Sequence, residues 1–247
     1  MGRLEDRQIL VVGASSGIGH ATAQAFAREG ARVAISARRA DRLESLAAEI
    51  GDAAISLPCD IRDPEAVATT VEQAVAQLGG LTDLVICSGI ATLSRIAEAT
   101  PEQWREAFEI NVLGPSLLTR AALPFLSKCA GRALFVSTIA VADVPPRHGL
   151  GLYSSTKAAL DRMIECWQEE ERSIAFTRVS VGDILGTDIA STWDPADVAA
   201  FAAEWAEKGY LYGRAMTPDD VAQHLVDLLA GREAIPVSVL VPRYGQD

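Results

Sequence analysis

Long apolar runs are missing from this 247-residue chain. None approaches the ~18 consecutive apolar residues of a membrane-spanning helix, so we expect no membrane span. The first seven residues, Met1 to Arg7, are too charged and too few to form a signal peptide. Basic residues are outnumbered as well, and the net charge of −11 argues against nucleic acid as a partner.

Cysteine and histidine, common ligands of zinc, are scarce and scattered. The four cysteines form no Cys-x-x-Cys motif, and the three histidines lie far apart in the chain. This spacing argues against a metal site and favours reduced thiols in a cytoplasmic protein. The residues concerned are Cys59, Cys87, Cys129, Cys166, His20, His148 and His224.

Hydrophobic residues, in contrast, make up 49% of the chain and recur in strand-like and helix-like segments that alternate. Such alternation predicts βαβ units and a parallel sheet covered on both faces. We therefore expect an α/β fold in one domain over 1–247, a Rossmann-like doubly wound sheet of about seven strands. Strand-like segments span residues 8–12, 32–36, 53–57, 83–87, 132–137, 174–180 and 237–241. Helix starts with a capping residue before a proline are Asp63-Pro64, Thr100-Pro101 and Thr217-Pro218.

A glycine-rich turn separates the first strand-like segment from the first helix-like one. Glycines let the backbone approach a pyrophosphate closely, and a helix N-terminus offers free N–H groups and a positive dipole end. The alternative is an ordinary strand-to-helix turn with incidental glycines. We expect the turn to bind nucleotide phosphate through Gly13, Ser15, Ser16, Gly17, Ile18 and Gly19.

Tyr153 and Lys157 are four residues apart in a segment, about 152–171, that is predicted to be helical. They would therefore share one face of the helix. A free tyrosine has a pKa near ~10. A neighbouring ammonium favours the phenolate and lowers that pKa, so the pair could exchange a proton with a carbonyl or alcohol oxygen near neutral pH.

These two motifs together resemble the short-chain dehydrogenase/reductase family, over about residues 4–243. The glycine spacing is Gly-x-x-x-Gly-x-Gly, Tyr-x-x-x-Lys follows much later, and Asn111 and Ser137-Thr138 lie between them in the expected order. The resemblance implies that Tyr153 is the general acid/base and that Lys157 tunes it and binds the nicotinamide ribose. It further implies that Asn111 supports a proton relay and that Thr138 orients the substrate oxygen. Because the loop before Tyr153, with Pro145 to Gly149, looks slightly long, Ser137 could take that last role instead.

Cofactor choice depends on the end of the second strand. NAD-dependent enzymes usually place an acid there, which binds the ribose hydroxyls. This chain has Ala37 followed by Arg38 and Arg39. A guanidinium suits the 2′-phosphate of NADP, so we expect NADP(H) rather than NAD(H). The alternative is that both arginines are the solvated start of the next helix.

Further cofactor contacts are implied only by the resemblance. Asp60, with Ile61 next to it, would lie at the adenine, and Gly89 would let the backbone approach the cofactor. Thr187 would touch the nicotinamide carboxamide, although its distance in sequence from Gly182 is one residue longer than is usual in the family. The family's Asn-Asn-Ala-Gly is replaced by Ile86-Cys87-Ser88-Gly89, so the usual amide side chains are absent.

Two larger features complete the expectation. The aromatic-rich segment 186–216 interrupts the alternation and corresponds to the family's mobile substrate lid, or else to an ordinary helix pair packed by its aromatics. The helices at about 101–129 and 152–171 should pair across a two-fold axis in a homodimer or homotetramer, unless both faces cover the sheet. The apolar residues concerned are Leu117, Leu118, Phe125, Leu160, Met163 and Trp167.

The sequence thus predicts an NADP(H)-dependent oxidoreductase acting on a small-molecule carbonyl or alcohol, without a metal. The competing interpretation is a nucleotide-binding sensor or scaffold of the same fold that has lost turnover. The altered segment 86–89 and Thr138 motivate that alternative, whereas the intact set of Tyr153, Lys157 and Asn111 argues against it.

Overall fold

The computed structural model describes residues 2–142, 146–210 and 215–242. Its strands are β1 (Gln8–Val12), β2 (Arg32–Ala37), β3 (Ala54–Pro58), β4 (Asp83–Ile86), β5 (Arg132–Thr138), β6 (Ala175–Val181) and β7 (Val237–Leu240). All pair in parallel, in the order β3-β2-β1-β4-β5-β6-β7. The predicted seven-stranded, doubly wound sheet is confirmed, because the order reverses direction between β1 and β4.

Eight α-helices lie within the described residues: α1 (Gly17–Arg28), α2 (Ala40–Ile50), α3 (Pro64–Leu78), α4 (Pro101–Phe108), α5 (Gly114–Leu126), α6 (Gly151–Glu170), α7 (Pro195–Glu207) and α8 (Pro218–Ala230). The three helix starts predicted from a capping residue before a proline are confirmed. The Asp63 carboxylate accepts from the N–H groups of Glu65 and Ala66, and Thr100 and Thr217 each form a capping box. None of the helices in the described parts is both long and apolar enough to cross a membrane.

The helices cover the sheet in two layers. Side chains of α1, α2 and α8, such as Phe26 and Leu225, pack on one face around Val11 of β1. Those of α3, α5 and α6, such as Leu118, pack on the other face around Leu10. Because side chains alternate along a strand, neighbouring residues of β1 serve opposite layers, and the strand reads as one apolar run.

A π-helical turn, Glu109–Leu113, joins α4 to α5. The sequence predicted a helix here but not the extra residue in its turn. The turn contains Asn111, whose side chain is fully buried and leaves the helix to bond a neighbouring loop. Single π-turns of this kind often occur at functional sites.

The expected association surface needs a correction. Leu118 and Leu160 are buried to 0% and 2% exposure in the layer that covers the sheet, together with Leu117. The residues Phe125, Met163 and Trp167 are partly buried against the same layer. The chain's own core therefore uses these side chains. Around the π-turn the exposed apolar residues are instead Phe108 and Leu113, at 39% and 48% exposure.

The segment predicted as the lid ends at a residue of the core. Met216 is 6% exposed, and it pairs with Ile184 in an isolated parallel bridge. The bridge fixes both ends of the intervening segment next to the end of β6. Of that segment the structure describes a 3₁₀ turn, Asp188–Ala190, and α7, whereas Tyr212 lies outside the described residues.

Candidate active site and cofactor cleft

The carboxyl ends of β1, β4, β5 and β6 meet at one edge of the sheet, since all four strands run in parallel. The loops and helix starts that follow them carry nearly all of the residues predicted for the site. In open α/β sheets, ligands bind at this edge, near the point where the strand order reverses.

Two residues of the glycine turn are fixed by close packing of the backbone. Gly13 has φ of +87°, and a Cβ on it would lie 2.6 Å from the Ser88 nitrogen. A Cβ on Gly19 would lie 2.3 Å from the Gly13 oxygen. The turn leads directly into α1, where Ser16 is the N-cap but its side chain makes no capping hydrogen bond. The first N–H groups of α1 therefore lack a side-chain cap, as an anion site requires.

Arg39 joins the glycine turn to the end of β2. Its Nε and Nη2 donate to the Ser15 hydroxyl at 3.1 and 2.9 Å, and Nη2 also donates to the Ser16 hydroxyl at 2.9 Å. The Asp188 carboxylate accepts from Arg39 Nη1 at 2.9 Å and from Arg42 Nη1 at 2.7 Å. Of the two predicted arginines, Arg39 contacts the turn, whereas Arg38 is exposed.

The predicted adenine residues are already engaged within the chain. Arg62 binds both carboxylate oxygens of Asp60, and this hydrogen bonding holds the pKa of Asp60 below its ordinary value. Ile61 is buried, and a Cβ on Gly114 would lie 2.7 Å from its Cγ1. The Ile61 side chain thus packs against Gly114 at the start of α5.

Thr187 lies over the start of α1. A Cβ on Gly17, which has φ of +54°, would be 3.3 Å from the Thr187 side chain. The structure therefore sets Thr187 beside the glycine turn, where a pyrophosphate would be expected. A contact with the nicotinamide carboxamide stays a prediction.

Tyr153 lies in the first turn of α6, close enough to the Thr138 hydroxyl at the end of β5 for that hydroxyl to influence its pKa. Burial raises the pKa of Tyr153 to about 12; Thr138 acts in the opposite direction, and the Asp161 charge adds to the rise. The sequence predicted a lowered pKa from the Lys157 ammonium together with the positive nicotinamide of oxidised cofactor, and for that complex it stays a prediction. Among the described residues the ammonium donates to a backbone carbonyl, and desolvation of the phenol is the largest effect.

Lys157 lies one turn further along α6 and is 4% exposed. Its Nζ donates to the Val136 carbonyl at 3.0 Å. Burial lowers the pKa of Lys157 to about 8, against the opposing effects of Asp161 and Cys87. A Cβ on Gly89 would lie 3.3 Å from Nζ, so the Gly89 backbone passes directly beside the ammonium.

Asn111 connects three elements through its amide. Its Oδ1 accepts from the Ile90 N–H, and its Nδ2 donates to the Ile90 carbonyl and to the Thr156 hydroxyl, all at 2.9 Å. The Thr156 hydroxyl in turn donates to the Tyr153 carbonyl at 2.8 Å. The π-turn is thereby tied to the loop after β4 and to α6. A relay role for Asn111 stays a prediction.

Ser137 and Thr138 have different partners along α6. The Ser137 hydroxyl donates to Asp161 Oδ1 at 2.5 Å, and Ser137 is 1% exposed. The Thr138 hydroxyl accepts from the Ala140 N–H at 3.1 Å and acts on Tyr153. Thr138 thus lies at Tyr153, whereas Ser137 is bound to a carboxylate two turns further along α6.

Sequence reasoning missed a buried cluster beneath Lys157. Asp161 binds Ser137 and, through Oδ2, Arg178 Nη1 at 3.2 Å. Burial raises the pKa of Asp161 despite these partners. The spacing Tyr153, Lys157, Asp161 continues one helix face and was a signal available in the sequence. The pairing of Asp188 with Arg39 and Arg42 had no such signal, because it joins distant segments.

The altered segment after β4 keeps its backbone pairing. The Cys87 N–H donates to the Val12 carbonyl at 2.9 Å, and burial raises the pKa of the Cys87 thiol to about 12. Thr22 of α1 acts against that rise. Cys87 is therefore a partly buried, protonated side chain that packs against the core layer containing α1.

The described part of the predicted lid packs on the loop after β4 and on the loop that leads into α6. Phe201 of α7 packs on Leu93 and Leu150. The indole nitrogens of Trp193 and Trp205 donate to the carbonyls of Ala91 and His148, at 2.7 and 2.8 Å. These contacts fit the alternative interpretation of a packed helix. Mobility of the segment stays a prediction, and residues 143–145 and 211–214 lie outside the described residues.

Comparison with known proteins agrees with this geometry. The family model described as short chain dehydrogenase matches residues 7–197. The chain belongs to the short-chain dehydrogenase/reductase family. A short chain dehydrogenase of Pseudocercospora fijiensis is 39% identical over 171 residues, which are 66% of this chain and 54% of that protein. The chain thus spans about half the length of that member of the short-chain dehydrogenase/reductase family.

Two solved structures resemble the whole chain. The alcohol dehydrogenase of the archaeon Thermococcus sibiricus, complexed with 5-hydroxy-NADP, has a TM-score of 0.82 at 26% identity and 98% coverage of each chain. The 3-ketoacyl-(acyl-carrier-protein) reductase of Brucella melitensis, complexed with NADH, has a TM-score of 0.83, also at 26% identity and 98% coverage of each chain. The comparisons therefore support an oxidoreductase of the short-chain dehydrogenase/reductase family, whose structural neighbours bind nicotinamide cofactors.

Proposed function

We propose that this chain is an NADP(H)-dependent oxidoreductase that transfers hydride between nicotinamide and a carbonyl/alcohol substrate. The observation that carries the proposal is the meeting of Thr138, Tyr153 and Lys157 at the carboxyl edge of the sheet, beside the Gly89 backbone. Family membership gives the reaction class, and this geometry gives each residue a role.

In the proposed reaction, a bound nicotinamide would supply the hydride for the substrate's carbonyl carbon during reduction, or take it up during oxidation. Tyr153 donates its O–H proton to the carbonyl oxygen, so that one hydride and one proton convert C=O into CH–OH. The Thr138 hydroxyl orients the same oxygen. The Lys157 ammonium stabilises the phenolate that remains on Tyr153 and holds the ribose. The Asn111 side chain supports the return of a proton from solvent to Tyr153.

Both ionisable groups are protonated at neutral pH. Burial keeps Tyr153 protonated, with a pKa of about 12. Lys157, with a pKa lowered to about 8, still carries its charge. At pH 7 Tyr153 therefore has an O–H proton to donate to a carbonyl oxygen.

The residues that would hold the cofactor fit a phosphorylated dinucleotide. The uncapped start of α1 and the turn from Gly13 to Gly19 suit the pyrophosphate. Arg39 and Arg42 converge at the end of β2, where a 2′-phosphate would lie. Among the remaining predicted contacts, Asp60 and Ile61 would lie toward the adenine, and Gly89 and Thr187 would lie further along the cleft.

The proposal extends to partners and location. The exposed Phe108 and Leu113 suit a homodimer or homotetramer, with a small-molecule carbonyl or alcohol as substrate. The four cysteines are free, which suits the reducing cytoplasm.

A second candidate is a nucleotide-binding sensor or scaffold without turnover. Cys87 and Ser88 in place of the family's amide side chains favour it, as does the high pKa of Tyr153. Both candidates predict cofactor binding, so only turnover separates them.

The test is a panel of ketones, aldehydes, quinones and acyl-thioester ketones, with NADPH oxidation followed for the parent and for Tyr153→Phe. We expect turnover of at least one carbonyl class by the parent. In Tyr153→Phe, NADPH binding should be retained while turnover falls by ~10²–10⁴. Parental turnover in Tyr153→Phe would refute the catalytic assignment, and cofactor binding without turnover in the parent would support the sensor.

A further inference from the structure

Asp188 occupies an anion-binding position made by two arginines. Its Oδ2 accepts from Arg39 Nη1 at 2.9 Å and from Arg42 Nη1 at 2.7 Å. Arg39 also binds the hydroxyls of Ser15 and Ser16 in the glycine turn. One carboxylate oxygen is thus held by two guanidinium groups that belong to α2 and its N-cap.

These donors suit a phosphate better than a single carboxylate oxygen. A guanidinium presents planar pairs of N–H groups that match phosphate oxygens, and a phosphate monoester offers three such oxygens. Arg39 and Arg42 follow the end of β2. Proteins of this fold bind the ribose of a dinucleotide at that end of the strand. A dinucleotide's 2′-phosphate and the Asp188 carboxylate would therefore require the same donors.

Asp188 reaches these donors from a separate part of the chain. It opens the 3₁₀ turn Asp188–Ala190, which follows Thr187 and precedes α7. Hydrogen bonds, first from Arg39 and then from Arg42, hold the pKa of Asp188 below its ordinary value, so the carboxylate is ionised at neutral pH. Both ion pairs are about half exposed, with side-chain exposures between 40% and 48%, and such pairs are weak enough to exchange.

We propose that Asp188 is a displaceable internal ligand of the 2′-phosphate site, which NADP(H) must remove from Arg39 and Arg42 and which NAD(H) leaves in place. The proposal rests on the NADP(H) preference in the proposed function. Its consequence is that the segment between β6 and α7 responds to which dinucleotide is bound. Asp188 therefore lowers the affinity for the phosphorylated cofactor and narrows the selectivity that the two arginines create.

The experiment measures dissociation constants of NADP⁺ and NAD⁺ for four proteins: the parent, Asp188→Asn, Arg42→Gln and the control Asp197→Asn. Asparagine keeps the shape of Asp188 and removes its charge. Asp197 is an exposed acid in the first turn of α7, so its variant makes the same change in net charge away from the arginines. Asp188→Asn should bind NADP⁺ about three- to tenfold more tightly, because two exposed ion pairs no longer compete.

The other proteins make the test specific. NAD⁺ affinity of Asp188→Asn should stay within about twofold of the parent, and Asp197→Asn should match the parent for both cofactors. Arg42→Gln should weaken the binding of NADP⁺ and leave the binding of NAD⁺ unchanged. Unchanged or weaker NADP⁺ binding by Asp188→Asn overturns the inference, as does equal tightening of both cofactors.

Failure of the proposed function has a different signature. If the parent binds NADP⁺ no more tightly than NAD⁺, and Arg42→Gln changes neither dissociation constant, the assigned cofactor preference is wrong. The inference about Asp188 is then refuted as well. If the parent prefers NADP⁺ but Asp188→Asn equals the parent, the cofactor preference stands and only the role of Asp188 is refuted.

Discussion

At the scale of single residues, position on a strand or helix decides which side chains can act. The sequence put Ser137 and Thr138 side by side and left their roles open. The fold turns Ser137 toward the buried Asp161 and Thr138 toward Tyr153. The buried carboxylate that receives Ser137 depends on how α6 packs on β5, which no local pattern reports.

The first residue-scale prediction compares these two hydroxyls. Thr138→Val keeps the side-chain shape and deletes the hydroxyl, and it should lower kcat by ~10²-fold or more if that hydroxyl orients the substrate oxygen. Ser137→Ala should leave kcat within a few fold but lower the melting temperature, since Asp161 loses a buried hydrogen bond worth about 1–3 kcal/mol. Steady-state kinetics and thermal unfolding of both variants check this. Exchange of the two kinetic results would show that Ser137 has the orienting role.

The second residue-scale prediction concerns pH. The pKa of Lys157 is about 8 and would be lower without the Asp161 charge. If the ammonium is needed, kcat/KM for carbonyl reduction should fall as pH rises through about 8. In Asp161→Asn the descent should begin at lower pH, because the ammonium loses its counter-charge.

The measurement is the pH profile of kcat/KM for the parent, Asp161→Asn and the control Glu165→Gln. At the pH where the parent's profile has its inflection, kcat/KM of Asp161→Asn should be roughly two- to tenfold lower than that of the parent, because one pKa unit changes a protonation ratio tenfold. Glu165 lies one turn further along α6 and is more exposed, 3.6 Å from Arg178, so its variant should keep the parental profile. An inflection that stays in place in Asp161→Asn would show that this carboxylate has no influence on the ammonium.

At the scale of elements, local sequence signals were sufficient where local chemistry decides. Asp63, Thr100 and Thr217 each satisfy backbone N–H groups of the helix they precede, and these capping signals need no tertiary information. The π-turn at Glu109–Leu113 was not predictable in the same way, because Asn111 departs from the helix to bond Ile90 in another loop. The described part of the lid likewise depends on packing with Leu93 and Leu150.

The element-scale prediction tests how α7 is held over the site. Phe201 is 7% exposed and packs on two loops, whereas Val198 on the same helix is 36% exposed. Phe201→Ala should release α7 while the sheet stays folded, because Phe201 packs on Leu93 and Leu150 and not in either layer that covers the sheet. Proteolytic cleavage within 186–210 should become roughly tenfold faster, with KM raised more than kcat is lowered. Val198→Ala should keep the parental cleavage rate, and equal rates for both variants would contradict a docking role for Phe201.

At the scale of the whole molecule, the fold and its family followed from two motifs and a regular alternation, whereas the association surface did not. The sequence assigned Leu117, Leu118 and Leu160 to an interface, but the sheet covers them. A helix that faces both core and solvent has apolar residues on more than one side, and a sequence alone does not say which side meets the sheet. Single-domain organisation over 1–247 stays a prediction.

The last prediction is that two exposed surfaces mediate assembly. Phe108 and Leu113 line a shallow groove beside Val112 and Met163, between the π-turn and α6. The second surface is the edge strand β7, where Val237 and Val239 are 41% and 60% exposed. Closed two-fold pairing through both surfaces gives a tetramer, and pairing through one gives a dimer.

Light scattering at micromolar concentration should therefore give a dimer or tetramer mass for the parent. Leu113→Glu should reduce that mass by half or more, because it buries a charge in the groove interface. The control Leu185→Glu changes an equally apolar residue, 70% exposed but outside both surfaces, and should keep the parental mass. If the parent is a monomer, neither surface mediates self-association; if Leu113→Glu keeps a dimer or tetramer mass, the groove is not an interface.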